Sequence, residues 1–127
     1  MKDLCIIQPQ TPNLLIKIGQ ALGQSGINIE GLSLSSLQES SIVHLLVMDE
    51  KIAISALQEH HIAIESFSDV FILFKDQKQV TGKPGSFGSI CQLLYKNGIT
   101  IKFGYPAENN RFVFGVDDIE KTKQLLA

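Results

Sequence analysis

Apolar residues follow two different periods along this chain. The runs Leu4–Gln8 and Val70–Phe74 are short and mostly apolar, and we predict a strand over each. A turn containing a proline follows each run, and apolar residues then recur at i, i+3 and i+7, which is the spacing of one buried stripe on a helix. The predicted stripes are Leu15, Ile18 and Leu22 in the first helix and Phe87, Ile90 and Leu94 in the second.

The two stretches belong to an internal repeat, because similar residues recur 72 positions apart without a gap. Pro12 corresponds to Pro84, and Gly26 corresponds to Gly98. Both glycines stand where a helix end favours a left-handed residue, so we predict that the first helix of each repeat ends there. The same offset pairs Leu15 with Phe87, Ile18 with Ile90, Leu22 with Leu94, Ile27 with Ile99 and Ile29 with Ile101.

The remainder of each repeat predicts a hairpin. A strand should begin at Ile27 and at Ile99, directly after each glycine. The hairpin turns are expected near Leu37–Ser41 in the first repeat and at Glu108–Asn110 in the second. The strands that follow are Ile42–Met48 and Phe112–Val116.

A second helix should follow each hairpin. Asp49 and either Asp117 or Asp118 are suited to cap its start. Leu57 then corresponds to Leu125, 68 positions later. The first repeat closes with a strand over Ile62–Phe67, whereas the second repeat stops at Ala127 before any counterpart.

The element order is β-α-β-β-α-β followed by β-α-β-β-α. It predicts an α+β protein of two ferredoxin-like modules in tandem, residues 1–68 and 69–127, with the last strand of the second module absent. Each module should form an antiparallel sheet with its helices on one face. Strand Ile42–Met48 has apolar residues at both odd and even positions, so both faces of the sheet are apolar there. We therefore expect the face away from the helices to be covered by the other module or another subunit.

The missing strand also bears on assembly. It would leave an unpaired sheet edge beside apolar faces, which predicts a homo-oligomer, most simply a homodimer. In the alternative, Ile62–Phe67 runs directly into Val70–Phe74, and this one strand serves both sheets.

Composition narrows the function classes. The net charge is −2 and no basic stripe is visible, so we expect no nucleic-acid partner. No apolar run approaches the roughly 20 residues of a membrane span, and the N-terminal run breaks at Pro9, too early for a signal peptide. We therefore expect a cytoplasmic protein with no membrane partner. Cys5 and Cys91 are interpreted as reduced core residues.

The loop between the first strand and the first helix carries the best candidate chemistry. Free N–H groups and the dipole at a helix start hold a carboxylate, and neutral amides and hydroxyls add further partners for a zwitterion. Asn28 begins the adjoining strand and is expected to point to the same place. The polar residues of this loop are Gln8, Gln10, Thr11 and Asn13.

The equivalent loop of the second repeat is residues 81–87. Gly82 and Gly85 allow a close backbone approach or a positive φ, and we predict that Gly85 has a conformation that a bulky side chain would not tolerate. A tight strand–helix connection without a binding role is the alternative interpretation of this loop.

Lys83–Phe87, then Leu93-Leu94 and Asn97–Ile101, resemble the signature of ACT domains, and Ser25–Ile29 carries its second half in the first repeat. The resemblance covers nearly the whole chain and implies a regulatory protein rather than an enzyme. It implies an amino-acid ligand at an interface of paired modules or subunits, no cofactor or metal, and a separate metabolic enzyme as a possible partner. The implied ligand contacts are Gln8, Gln10, Thr11, Pro12, Asn13, Leu14 and Asn28 in repeat one and Gly82, Lys83, Pro84, Gly85, Ser86 and Thr100 in repeat two.

This sequence departs from the family pattern at two positions. Asn13 replaces the usual glycine, so that turn is expected to differ or to offer a side-chain contact. Thr100 replaces a frequent asparagine, which weakens the case for the second site.

Other residue groups have simpler explanations. His60 and His61 point to different faces at a helix end and lack a third ligand, so we predict no metal site. His44 is expected to be a hydrogen-bonded core or interface residue. An acylphosphatase-like enzyme shares this topology but needs an arginine in an anion-binding loop, and Arg111 follows a hairpin turn. An RNA-binding sheet would stack bases on its aromatic residues, but no basic surround is visible around the aromatic cluster of this chain, which is Phe103, Tyr105, Phe112 and Phe114.

Two functions from different classes remain. The first is an amino-acid sensor whose ligand changes the packing of modules. The second is a structural or assembly protein in which the loops stay empty.

Overall fold

The computed structural model describes residues 1–77 and 79–126. The chain divides into two compact units, Met1–Asp69 (unit 1) and Val70–Ala127 (unit 2). The end of the second repeat, predicted at Ala127, lies outside the described residues. The described residues contain seven strands and four helices, which confirms the α+β class.

Unit 1 is a four-stranded antiparallel sheet with two helices packed against it. The sheet order is β4-β1-β3-β2, and β1 is paired on both sides, with Leu4 opposite both Leu45 and Phe67. Leu4 and Leu45 belong to one core cluster with the buried side chains of both helices. The elements are β1 (Lys2–Pro9), α1 (Leu14–Gln24), β2 (Gly31–Leu37), β3 (Ser40–Val47), α2 (Glu50–Glu59) and β4 (Ser66–Asp69).

Unit 2 repeats this plan over the residues that the structure describes, without a fourth strand. Its sheet order is β6-β7-β5, so β5 lies at the end of the order and pairs with β7. Ile90, Leu94 and Leu126 from the two helices form a core with Phe71, Leu73 and Phe114 of the sheet. The elements are β5 (Phe71–Phe74), α3 (Ser86–Lys96), β6 (Ile101–Ala107), β7 (Arg111–Val116) and α4 (Ile119–Leu126).

The first helix of each unit ends as predicted. Gly26 and Gly98 have φ angles of 72° and 76°. In unit 1, Ile27 N–H donates to the Leu22 carbonyl at 2.9 Å and Gly26 N–H donates to the Gly23 carbonyl at 3.1 Å. This pair of bonds is the Schellman motif, and it satisfies carbonyls that the end of the helix leaves without partners.

The first residue of each predicted buried stripe is wrong, because it is exposed in the structure. Leu15 is 40% exposed and Phe87 is 51% exposed, whereas Leu14 is 3% exposed. The physical reason is that α1 begins at Leu14, so the buried stripe continues from Leu14 to Ile18 at the i+4 spacing and Leu15 lies beside it.

The predicted strand starts at Ile27, Ile99 and Ile62 are also wrong. Strands β2, β6 and β4 begin at Gly31, Ile101 and Ser66. In each case the isoleucine follows a helix-ending turn, and its N–H bonds back to the helix, as Ile62 N–H does to the Leu57 carbonyl at 3.0 Å. These N–H groups are therefore not available for a sheet ladder.

The second helix of unit 2 begins one residue later than the sequence offset implies. Asp118 caps α4 by accepting from Lys121 N–H at 3.0 Å, while Asp117 accepts from Thr100 N–H at 2.9 Å. Leu126 is fully buried and is therefore the counterpart of Leu57, so the pairing of Leu57 with Leu125 is wrong. Asp49 caps α2 as predicted, accepting from Ile52 N–H at 3.1 Å.

The alternative of one strand shared by both sheets is wrong as well. β4 ends at Asp69 and pairs with β1, whereas β5 begins at Phe71 and pairs with β7.

Candidate ligand-binding site

The loop between β5 and α3 borders a pocket of about 360 Å³ in unit 2. The strand β5, the first turns of α3 and the start of β7 supply its walls. Half of the lining is apolar: Leu73, Phe74, Val80, Phe87, Ile90 and Phe112. The other half is polar or glycine: Lys75, Gly82, Lys83, Ser86, Asn110 and Arg111.

Two glycines and the hydroxyl group of Ser86 fix the shape of this loop. Gly82 and Gly85 have φ angles of 74° and 89°, and Gly85 is the residue before α3, which confirms its predicted conformation. The Ser86 hydroxyl donates to the Gln79 carbonyl at 3.0 Å and accepts from Thr81 N–H at 3.1 Å. These bonds hold the loop in place beside the helix start.

The start of α3 has backbone N–H groups that make no intrahelical bond. The first backbone bond of the helix runs from Ser89 N–H to the Gly85 carbonyl at 3.0 Å. Within the described residues, no backbone acceptor is found for the N–H groups of Phe87 and Gly88. Such donors, with the positive end of the helix dipole behind them, favour a negatively charged group.

The charged residues that line the pocket are all basic. Lys75 and Lys83 are exposed, whereas Arg111 is 7% exposed. Arg111 Nε donates to the Glu108 carbonyl at 2.7 Å, which places its guanidinium beside the hairpin turn. None of the described residues lining this pocket is acidic. Lys75 and Lys83 thus place positive charge beside this pocket.

Aromatic rings form the apolar wall. The ring of Phe87 contacts those of Phe112 and Phe114 at centroid distances of 5.1 and 5.9 Å. Phe87 and Phe74 still expose about half of their surface, 51% and 48%. This wall can therefore cover an apolar ligand group without moving core residues.

The corresponding loop of unit 1 borders a smaller pocket, of about 160 Å³. The N–H groups of Leu15 and Ile16 lie at the start of α1, 72 positions before those of Phe87 and Gly88. The described lining of this pocket contains no charged residue and consists of Gln10, Thr11, Pro12, Leu14, Leu15, Ile16, Leu34, Ser36 and Ser41.

The predicted ligand contacts divide into two sets. Gln10, Thr11, Pro12 and Leu14 line the unit 1 pocket, and Gly82, Lys83 and Ser86 line the unit 2 pocket. Leu14 is a core residue that only borders the space. The remaining predicted contact residues line neither of these two pockets: Gln8, Asn13, Asn28, Pro84, Gly85 and Thr100.

Local geometry explains several of these absences. Asn13 precedes α1 and makes no side-chain cap bond. Asn28 lies before the start of β2, and the Thr100 N–H is bonded to Asp117. Gly85 shapes the loop through its backbone rather than lining the pocket.

Sequence reasoning missed the part of the site that other elements supply. Phe74 is the last residue of β5 and Lys75 comes directly after it. Asn110 lies in the hairpin turn between β6 and β7, and Arg111 is the first residue of β7. Arg111 is the one arginine of the sequence, and this could have marked it as a candidate site residue. That it lines the same pocket as Lys83 depends on the tertiary fold.

Another constellation lies on the sheet of unit 1. His44 Nδ1 and Asp3 Oδ2 are 2.9 Å apart, which confirms that His44 is hydrogen-bonded, and Cys5 lies opposite His44 in the strand register. Burial raises the pKa of the Cys5 thiol, and the nearby charges of Asp3 and Glu65 add to that effect. Cys5 is thus a poor nucleophile, and we interpret this group as structural.

Further findings concern metals, membranes and bases. Across residues 1–77 and 79–126, no cluster of three or more His, Cys, Asp or Glu side chains suits a metal ion. No helix within these ranges has the length and apolar character to cross a membrane. Phe114 is 1% exposed and Tyr105 is 3% exposed, so these two rings are not available for stacking bases.

Neither a protein-family model nor a curated protein matches this sequence. Solved structures do match. Protein BT0572 from Bacteroides thetaiotaomicron superposes with a TM-score of 0.79 at 23% identity, covering 98% of this chain and 85% of that one. The regulatory subunits of aspartate kinase from Thermus thermophilus, in a ligand-free form, and from Thermus flavus give TM-scores of 0.73 and 0.69. They are 18% and 16% identical, and each match covers 98% of this chain and 87% of the other. The resemblance to ACT proteins is thereby confirmed at the level of the fold.

Proposed function

We propose that this chain is a regulatory protein that binds an amino acid in the unit 2 pocket. The observation that carries the proposal is the joint presence of a helix start, basic side chains and an apolar wall around one space. The N–H group of Phe87 and the charge of Lys83 would hold the carboxylate. The aromatic wall would cover the side chain.

Unit 2 is the better of the two loops for this role. Its pocket is about 360 Å³ against about 160 Å³ in unit 1. At the repeat offset of 72 positions, Lys83 replaces Thr11 and Gly88 replaces Ile16, so unit 2 has a cation and more room at the helix start. We propose that the unit 1 loop has a structural role.

The regulatory part of the proposal draws on the fold shared with aspartate kinase regulatory subunits. In those proteins the subunit is named for regulation rather than for catalysis. We propose that this chain likewise does not catalyse a reaction and that its ligand state changes its contact with a separate metabolic enzyme.

A second candidate function is a structural or assembly protein that acts without a ligand. The apolar side chains that unit 1 exposes favour it, among them Ile16 at 60% and Leu37 at 66%. In both cases we propose that two copies of the chain form a homodimer.

A thermal-shift screen of the twenty amino acids at millimolar concentration tests the proposal. A ligand at a hundred times its Kd should stabilise the fold by about 2.7 kcal/mol, which raises Tm by several degrees. The shift should shrink in Lys83→Gln and persist in Lys96→Gln, a control at the other end of α3. If none of the amino acids raises Tm, the sensor is contradicted and the assembly role is favoured.

A further inference from the structure

We infer that Phe87 determines the specificity of the unit 2 pocket, and that it selects an amino acid with a large apolar side chain. This inference rests on the proposed function, because it concerns the side chain of the ligand in the same pocket. Neutral amino acids share the same ammonium and carboxylate groups, so charges near the pocket act on all of them alike. Selection among them therefore depends on the walls that their side chains meet.

Two neighbouring rings hold the side chain of Phe87 in place. The Phe87 ring lies nearly parallel to that of Phe114, with an interplanar angle of 9° and centroids 5.9 Å apart. It meets the ring of Phe112 at 62°, with centroids 5.1 Å apart. Phe112 and Phe114 both lie in β7, and Phe114 is a buried member of the unit 2 core. The Phe87 ring therefore rests on a fixed base.

The rest of the Phe87 ring is accessible from the pocket. Phe87 lines the pocket and still exposes 51% of its surface. Because the neighbouring rings already order this side chain, a ligand that covers it gives up little further side-chain entropy. The apolar area that a ligand buries on this ring thus contributes directly to affinity.

The ring also stands at the right end of the helix. Phe87 is the second residue of α3, and long side chains on a helix lean toward its N-terminus. The same helix start is the proposed position of the carboxylate. The side chain of an amino acid branches from the carbon next to its carboxylate, so a carboxylate held there brings the side chain to the ring.

Other apolar residues extend this surface. Leu73 and Ile90 are buried in the core and line the pocket, and Phe74 adds a second half-exposed ring. The volume of about 360 Å³ falls within the roughly 300–1,000 Å³ of typical ligand pockets. A small side chain would leave most of this wall in water. A polar or charged side chain would have to leave water against groups that offer it no hydrogen bond.

Unit 1 lacks this arrangement. Leu15 occupies the position equivalent to Phe87, and Ile16 occupies that of Gly88. The unit 1 pocket is also smaller, at about 160 Å³. Leu15 is therefore a matched control position for Phe87.

Isothermal titration calorimetry on the full chain tests the inference with pairs of amino acids. Leucine and asparagine are similar in shape, as are valine and threonine, and phenylalanine is compared with alanine. Lysine and aspartate complete the set at matched ionic strength. We expect leucine or phenylalanine to bind tightest, with a Kd at least about tenfold below those of asparagine, alanine, lysine and aspartate.

Variants of the full chain then test the role of Phe87. Phe87→Ala should raise the Kd of the tightest ligand by at least about tenfold and that of alanine by less than about threefold. A residue that only supports the fold would instead weaken both ligands equally. Leu15→Ala should leave both values within about threefold of the wild type. If Phe87→Ala does not fold, Phe87→Leu replaces it and should weaken phenylalanine more than alanine, by about threefold.

The remaining outcomes separate this inference from the proposed function. If asparagine, alanine, lysine or aspartate binds as tightly as leucine and phenylalanine, the inference is overturned and the amino-acid sensor stands. Equal weakening of all ligands by the Phe87 variant, or an equal loss in Leu15→Ala, overturns the inference as well. If no amino acid binds, both the inference and the proposed function fall.

Discussion

Gly85 shows how a single residue can fix the entrance to a helix. Its φ of 89° is disfavoured for any residue with a Cβ, and an added Cβ would meet no atom within 4 Å. The constraint on this position is therefore the backbone conformation and not the space around it. The sequence could predict this property, because a Pro-Gly pair before a helix restricts the local chain in a recognisable way.

We expect Gly85→Val to destabilise the protein by about 1–3 kcal/mol, since valine must adopt a strained left-handed φ. Urea denaturation of the full chain measures the change. Gly88→Ala is the matched control: Gly88 lies within α3 without a positive φ, so alanine should be neutral or stabilising by up to about 1 kcal/mol. Equal stability of Gly85→Val and the wild type would contradict the structure of this loop.

The remaining site residues were less predictable one by one. Lys83 lies in the loop before α3 and Ser86 begins that helix, and the chemistry of both residues is visible in the sequence. Lys75 and Arg111 are 36 positions apart in the chain. Lys75 directly follows β5 and Arg111 begins β7, so only the pairing of these two strands brings them together. No local pattern contains that information, because strand pairing is a tertiary property.

At the scale of elements, periodicity predicted which helices and strands form but placed the start of several strands too early. The prediction placed Leu15 in the buried stripe, whereas the fold buries Leu14. Both residues satisfy an apolar period with Ile18 and Leu22, and the choice depends on how the chain enters the helix from the Pro12 turn. The strand starts were predicted too early for a related reason. The first apolar residue after each of these helices uses its N–H group in the helix-ending turn, so it cannot form a sheet hydrogen bond with that group.

We expect Leu14→Ala to cost about 2–5 kcal/mol, because it leaves a cavity in the unit 1 core. Leu15→Ala should cost less than about 1 kcal/mol, since that side chain is 40% exposed. Chemical denaturation of both variants compares the two values directly. The reverse order of the two losses would show that the helix lies in the register first predicted from the sequence.

At the scale of the whole molecule, the repeat has produced two units with different chemistry on the same plan. Unit 1 has a four-stranded sheet and an uncharged loop pocket, and unit 2 has a three-stranded sheet in its described part and a basic pocket. The sequence predicted the shared plan through its offset of 72 positions. It did not predict the difference between the pockets, since that depends on residues outside the repeated motif.

We expect the protein to sediment as a homodimer at micromolar concentration. The edge position of β5 and the exposed apolar residues of unit 1 both favour association of two copies. Sedimentation equilibrium over a hundredfold range of concentration measures the mass. A stable, folded monomer throughout that range would contradict this proposal without affecting the ligand site.

The most direct test of the account is a two-dimensional ¹⁵N–¹H NMR titration of the full chain with the strongest ligand from the screens. We predict that the amide resonances of Phe87 and Gly88 shift in a saturable way, together with those of Gly82 and Lys83. The resonances of Leu15 and Ile16, their counterparts in unit 1, should stay unchanged. Saturable shifts confined to Leu15 and Ile16, or no saturable shift in the loop 81–88, would contradict the claim that unit 2 holds the ligand.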